Sequence, residues 1–482
     1  MDAQTILWTD SDVYQRRYEK TATALMAVER ALRARRPLAG GEDEFLSLYA
    51  VLAAADPDTF TAIWEDPFAY FWTRFAYEIA GWCLNPEPLP AGLKNYCETL
   101  ATEEPQRALA LHLEEFKKFI IALDMKSGAT RRFDAPLRTT LPFSIPGTRF
   151  SMLGRGPLSV TGVSDTTLEV VHEGITMRLV LGGAISGPAA PRLVERPTAR
   201  HGDFEVTLKP ETFCVPGIDA HAFLDLADDY QQQQIPLLED ALALVERYQP
   251  IALEHMRELV QVIAFKPASS GNYSNVSFSD LPGAFILSAV QQPYWMADAL
   301  IHELLHNRLF FVLDGGEILE GSGDATDGSE FYSPWRDDLR PLGGLLHAVY
   351  VYVGVCKFWF SVCAKGDPGV RRDYAEDQAV RAVLDLKIGI AQLRRHATFT
   401  EAGAGLFKEL EREVESLTVA LRGLNLSPAA PATIARGNGE IVPFGVAADG
   451  HRLSILESIL AHAEQYDVHR QCADLLSILN LQ

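Results

Sequence analysis

Apolar positions recur at helical spacing from about residue 10 to 36, break at Pro37-Leu38-Ala39-Gly40-Gly41, and resume in further helices to about residue 125. Within that stretch Phe68, Phe71, Trp72 and Phe75 share one helical face, the pattern of a packed core. From about 132 to 216 the texture changes to Gly, Pro, Thr and Val. Met177, Leu179 and Leu181 alternate with period two, and Glu173-Gly174 marks a turn between strand-like runs. Helical periodicity returns near residue 220, divided by Pro250, and strand-like runs at 259–265 and 283–287 precede a helix beginning near Tyr294. A Gly- and Asp-rich loop over 314–339 leads to an apolar helix over 343–362, then to helices over 371–395 and 401–424. Ser427-Pro428-Ala429-Ala430-Pro431-Ala432 reads as a hinge or surface linker. There is no internal repeat.

These elements predict an α+β fold, predominantly α-helical, with a β-rich segment in the middle. Four units follow: an N-terminal helical region (1–131), a β-rich subdomain (132–216), a helical domain carrying the candidate chemistry (217–425) and a C-terminal helical region (426–482). At 482 residues, 48% hydrophobic and 22% charged, the chain has the composition of a globular protein with a large core. With 43 basic and 64 acidic residues the net charge is −21, which disfavours a nucleic-acid partner. Six scattered cysteines without a CxxC pair read as thiols in a reducing compartment. The first residues lack an apolar signal segment and no later run is expected to span a bilayer, so the expected location is cytoplasmic, with no membrane partner. Oligomeric state is not legible.

The densest chemistry lies in His302-Glu303-Leu304-Leu305-His306. Residues four apart on a helix share a face, so both imidazoles can reach one ion. The flanking runs, Tyr294 to Ile301 and Leu309 to Leu313, are apolar and free of Gly and Pro, which makes unpaired imidazoles and a carboxylate costly there. A third ligand is needed. The extended HExxHxxGxxH pattern fails, because Leu309 and Val312 stand at its glycine and third-histidine positions. Glu317, Glu320 and Glu330 lie in the Gly-rich loop and read as solvated charges. His347, on the apolar helix that follows Tyr332-Ser333-Pro334-Trp335-Arg336-Asp337-Asp338-Leu339-Arg340, is the better candidate, which would put a metal site between two buried helices. Arg336 and Arg340 have the planar fork for a carboxylate ligand, or pair with Asp337 and Asp338.

The combination of HExxH with Tyr332 to Asp338 and Arg340-Pro341-Leu342-Gly343-Gly344-Leu345-Leu346-His347 resembles the HExxH-motif proteins found beside peptide natural-product genes. Members of that family are similar to 2-oxoglutarate-dependent, iron-dependent peptide β-hydroxylases. The resemblance is concentrated in about residues 220–400. It implies Fe(II) held by His302, His306 and His347, the distal carboxylate of 2-oxoglutarate held by Arg336 or Arg340 beside Trp335, and O2 as oxidant. A ribosomally made precursor peptide would be hydroxylated at a β-carbon, with succinate and CO2 as co-products. The same motif in a zinc peptidase would make Glu303 the general base for a metal-bound water; in an oxygenase Glu303 orients a ligand or a water. The polar run over 269–279 is either cleft lining or an ordinary loop. A non-catalytic partner protein with a structural metal is the third class.

Overall fold

The computed structural model describes residues 12–34, 40–85, 88–183, 190–219, 224, 226–268, 274–290, 292–320, 330–336, 338–366, 372–423, 433–435 and 441–443. Seven helices come first: α1 (Asp12–Ala34), α2 (Glu42–Ala53), α3 (Pro57–Trp64), α4 (Pro67–Leu84), α5 (Lys94–Thr99), α6 (Pro105–Glu115) and α7 (Lys117–Ser127). Both α3 and α4 start with proline at the first helical turn behind an aspartate cap, Asp56 and Asp66, whose carboxylates accept backbone N–H groups at 2.9 Å. Strands β1 (Thr130–Ser144), β2 (Phe150–Ser164), β3 (Thr167–His172) and β4 (Ile175–Val180) form an antiparallel meander, with β5 (Arg192–Glu195) on the free part of β2. The described residues are about 58% helical and include two five-stranded sheets.

The second sheet draws on two distant stretches. Strands β6 (Thr198–His201) and β7 (Phe204–Leu208) precede a two-residue pair, β8 (Cys214–Val215) and β9 (Ile218–Asp219). Helices α8 (Asp228–Gln233), α9 (Ile235–Tyr248) and α10 (Pro250–Leu259) follow, then β10 (Val262–Lys266), β11 (Val276–Ser277) and β12 (Ala284–Ser288). The order is β11-β12-β10-β7-β6, with β10 parallel to both neighbours and the two outer pairs antiparallel. Thus β6 and β7, inside the 132–216 stretch, belong to the same sheet as strands of the 217–425 stretch, through the pairing of β7 with β10. The sequences Val262-Ile263-Ala264-Phe265 and Ala284-Phe285-Ile286-Leu287 are continuously apolar because both sheet faces are covered. Ile263, Phe265, Phe285 and Leu287 join one core with α9 to α12; Val262, Ala264, Ala284 and Ile286 join the other, with the N-terminal helices and the meander.

Four long helices complete the described chain: α11 (Pro293–Asp314), α12 (Leu342–Lys365), α13 (Arg372–His396) and α14 (Glu401–Gly423), followed by a short hairpin of β13 (Thr433–Ala435) and β14 (Ile441–Pro443). That hairpin is what is described of the region expected to be helical over 426–482; the linker over 427–432 lies outside the described residues. Helix α12 corrects one expectation. At 24 residues it is long and apolar enough to cross a membrane, but 72% of its apolar window is buried inside the protein against α11 and α13. The five described cysteines carry no disulfide, and Cys472 lies outside the described residues.

Candidate active site

Helix α11 carries the HExxH sequence with thirteen of its 22 residues buried, so the motif sits in the core with only part of one face open. Asn307 anchors it: its side-chain oxygen accepts the Gly283 N–H at 2.9 Å, ahead of β12, and its amide donates to the Glu303 carbonyl at 2.9 Å. The open face carries His302 and His306, whose Nε2 atoms are 3.1 Å apart. Burial holds His302 neutral, down to about 4, and pushes His306 well below the usual histidine range, with His302 and His347 adding repulsion. Neutral imidazoles are the form a metal ion requires. Two nitrogens at 3.1 Å also fit a single ion about 2.1 Å from each, at roughly a right angle.

His347, from α12, packs its ring 5.7 Å from that of His306 at an interplanar angle of 29°, and Phe310 lies against both rings. The histidines are therefore neighbours, but the described residues contain no group of three or more His, Cys, Asp or Glu side chains gathered as a metal cluster. The donor chemistry of the His302 and His306 pair suits a divalent metal. His347 stacks on His306.

All three histidines line one cavity of about 2260 Å³. Trp335, Arg336, Asp338 and Arg340 line it too. Arg336 Nε donates to Asp338 Oδ1 at 2.7 Å, and Arg340 Nε stands 3.4 Å from the same oxygen. The two arginines hold the Asp338 carboxyl below its usual range, the Arg336 hydrogen bond contributing most. Asp337 lies outside the described residues. Trp335 stacks on Tyr352 at 5.0 Å and 16°, and Tyr352 stands edge-on to His302 at 5.2 Å. The buried Trp335 Nε1–H has no hydrogen-bond partner among the described residues. Sequence reasoning did not find Tyr352, which carries no motif signal of its own.

Glu303 is 2% exposed and faces the cavity. Burial raises its carboxyl to about 7, against the opposing effects of a hydrogen bond from Ser277 and the charge of Lys266. Its Oε2 has no hydrogen-bond partner among the described residues. Ser274, Asn275, Val276, Ser277 and Ser279 border the cavity; residues 269–273 of that polar run lie outside the described residues. Asp298, one turn before His302, also lines it. Asp298 accepts the Trp359 indole N–H at 2.6 Å and is raised by burial to about 6. Its i−4 spacing from His302 was the available signal.

The far wall comes from α1 and α4, which carry no motif. Lys20 pairs with Asp314 at 3.3 Å, the Tyr70 hydroxyl donates to Asp314 at 2.8 Å, and Arg74 pairs with Asp280. Glu317 borders the cavity, Glu320 lies beyond it and Glu330 opens the segment leading to Trp335. No protein-family model and no curated protein matches this sequence.

Proposed function

We propose that the protein is an iron- and 2-oxoglutarate-dependent oxygenase that β-hydroxylates side chains of a ribosomally made precursor peptide in the cytoplasm. The observation that carries the reading is the meeting, in one cavity, of a neutral histidine pair 3.1 Å apart with His347, two arginines and an aromatic platform. His302 and His306 would hold the metal, with His347 the proposed third ligand. Imidazoles serve iron and zinc alike, so the ligand types do not choose the metal. Bound iron would supply the activation of O2 that couples decarboxylation of 2-oxoglutarate to oxygen insertion.

The chain's own residues do the rest. Arg336 and Arg340 offer planar donors to the distal carboxylate, in exchange for their present partner Asp338, and Trp335 lines the same cavity. Tyr352 and Phe310 wall the histidines with apolar surface that limits water. The cavity is more than twice the roughly 1,000 Å³ upper range of small-molecule sites, which suits a chain segment better than a metabolite.

A second reading, a zinc peptidase, is favoured by Glu303. A carboxylate raised to about 7 with one oxygen unpartnered suits a general base. One experiment separates the two. The protein is loaded with iron or zinc under anaerobic conditions and assayed for succinate from 2-oxoglutarate, O2 uptake and peptide cleavage. Iron-dependent succinate without hydrolysis is expected. Zinc-dependent cleavage that needs Glu303, with no succinate, overturns the oxygenase.

A further inference from the structure

Strand β11 is the edge of the second sheet, and the described residues place no strand against its outer side. Successive residues of a strand point to opposite faces, so a cavity touching one face meets every second residue. Ser274, Asn275, Val276 and Ser277 all border this cavity in succession. The strand itself is Val276–Ser277, and because both of its residues border the cavity, the cavity reaches the strand's edge, where backbone N–H and C=O groups point. An edge of this kind is a template for another extended chain. The segment is held in place from behind: the Ser288 N–H donates to Asn275 Oδ1 at 3.0 Å, and the Ser288 hydroxyl donates to the Ser274 carbonyl at 2.8 Å.

Two further observations point to an occupant. Glu303, nine-tenths or more buried, lines the cavity with one carboxylate oxygen unpartnered among the described residues, and Ser277 of β11 hydrogen-bonds to its side chain. Across the gap stands α4, fixed to the turn after β11 by the pairing of Arg74 with Asp280, and it presents Tyr77 with 59% of its surface exposed. The result is a slot with a hydrogen-bonding edge on one side and a helix on the other. We infer that the substrate peptide enters as an extended strand that pairs with the outer edge of β11 and passes over Glu303 toward His302 and His306, with α4 as the opposite wall. This rests on the peptide-substrate part of the reading above and not on its oxidation chemistry. Main-chain pairing supplies affinity that tolerates many sequences, so side-chain choice is left to Tyr77 and its neighbours on α4.

The test uses the full chain, without metal or 2-oxoglutarate, and two probes. One is a pool of acetylated, amidated linear dodecapeptides with lysine at each end and random residues between; the other is the same pool N-methylated at alternate residues. Amide hydrogen exchange is read by mass spectrometry. The unmethylated pool at saturating concentration should slow exchange over residues 274–279 by about threefold or more, and the methylated pool should not. Equal protection by both pools, protection confined to α1 and α4, or no protection at 274–279 each overturns strand pairing. Val276→Pro and Ser277→Pro check the strand from the protein side, because one of these two residues directs its N–H outward; loss of protection in neither overturns the proposal. Succinate formation without protection sinks the docking mode alone. Protection without succinate sinks the oxygenase alone.

Discussion

His112 is buried between α4 and α6, where its Nε2–H donates to the Trp72 carbonyl at 2.7 Å and its Nδ1 accepts the Tyr96 hydroxyl at 2.5 Å. Burial lowers it from 6.5 to about 4. Between those values the unfolded chain binds a proton that the folded chain refuses. Its stabilising effect is therefore complete above pH 6.5 and is lost as pH falls toward 4. Asp385, raised by burial to about 7, tilts stability the other way, so the comparison must be between parent and variant. His112→Gln should melt lower at pH 7 and lose less on acidification; melting curves from pH 7 to 4 that fall in parallel would refute the assignment. In the cavity the same burial keeps His302 and His306 neutral, the form that the proposed metal would need. His302→Ala and His306→Ala should each abolish stoichiometric iron in metal analysis, while full iron content in His347→Ala would remove it as third ligand. Arg336→Lys and Arg340→Lys test the co-substrate anchor, because lysine lacks the planar fork. At least one should raise the apparent Michaelis constant for 2-oxoglutarate by roughly tenfold or more with iron intact. If both serve only Asp338, melting temperature falls and the constant stays put.

Among the elements, α11 and α12 owe their spacing to Gly354. A methyl there would meet Leu305 Cδ1 at 2.2 Å, in a core with no room for the leucine to swing. Gly389 on α13 does the same for the platform, since its methyl would meet Val349 at 2.6 Å and the Trp335 ring at 2.8 Å. Gly354→Ala should cost about 1–3 kcal/mol by overpacking, read from chemical denaturation. Gly389→Ala should cost a similar amount and also alter Trp335 fluorescence; an unchanged spectrum would show that the ring is not displaced. The helices themselves were legible, because their apolar periodicity is local: readings of 10–36, 371–395 and 401–424 correspond to α1, α13 and α14 within about three residues. The closeness of His302 and His306 was legible for the same reason. The links from Ser277 to Glu303 and from Trp335 to Tyr352 were not, because they join elements far apart in the chain and leave no period to read.

At the scale of the whole molecule the second sheet joins the two cores, and neither core ends where composition changes. The pairing of β7 with β10 crosses more than fifty residues, so no short-range pattern announces it. The contribution of α1 and α4 to the cavity was illegible too, resting on Lys20, Tyr70 and Arg74, which read in isolation as surface polar residues. A fragment of residues 217–425 would expose Val262, Ala264, Ala284 and Ile286 and lack β6 and β7. It should behave as a loosely packed species, binding a hydrophobic dye and lacking near-ultraviolet circular dichroism. A sharp cooperative melt from that fragment would contradict the shared sheet.

The position of β10 also bears on how the chain comes off the ribosome. Its neighbours, β7 before it and β12 after it, both lie parallel to it, and parallel partners cannot be joined by a tight hairpin. A nascent chain that has emerged only as far as α10 has β6 and β7 in hand but nothing to cover β7's open edge. Synthesis at about 5–20 residues per second puts several seconds between the end of β7 at Leu208 and the end of β10 at Lys266, the strand that covers that edge. Over that interval the growing chain is at its most exposed to mispairing with another copy. Slower translation across residues 210–290 should therefore lower the yield of soluble protein, and a chaperone that shields strand edges should restore it.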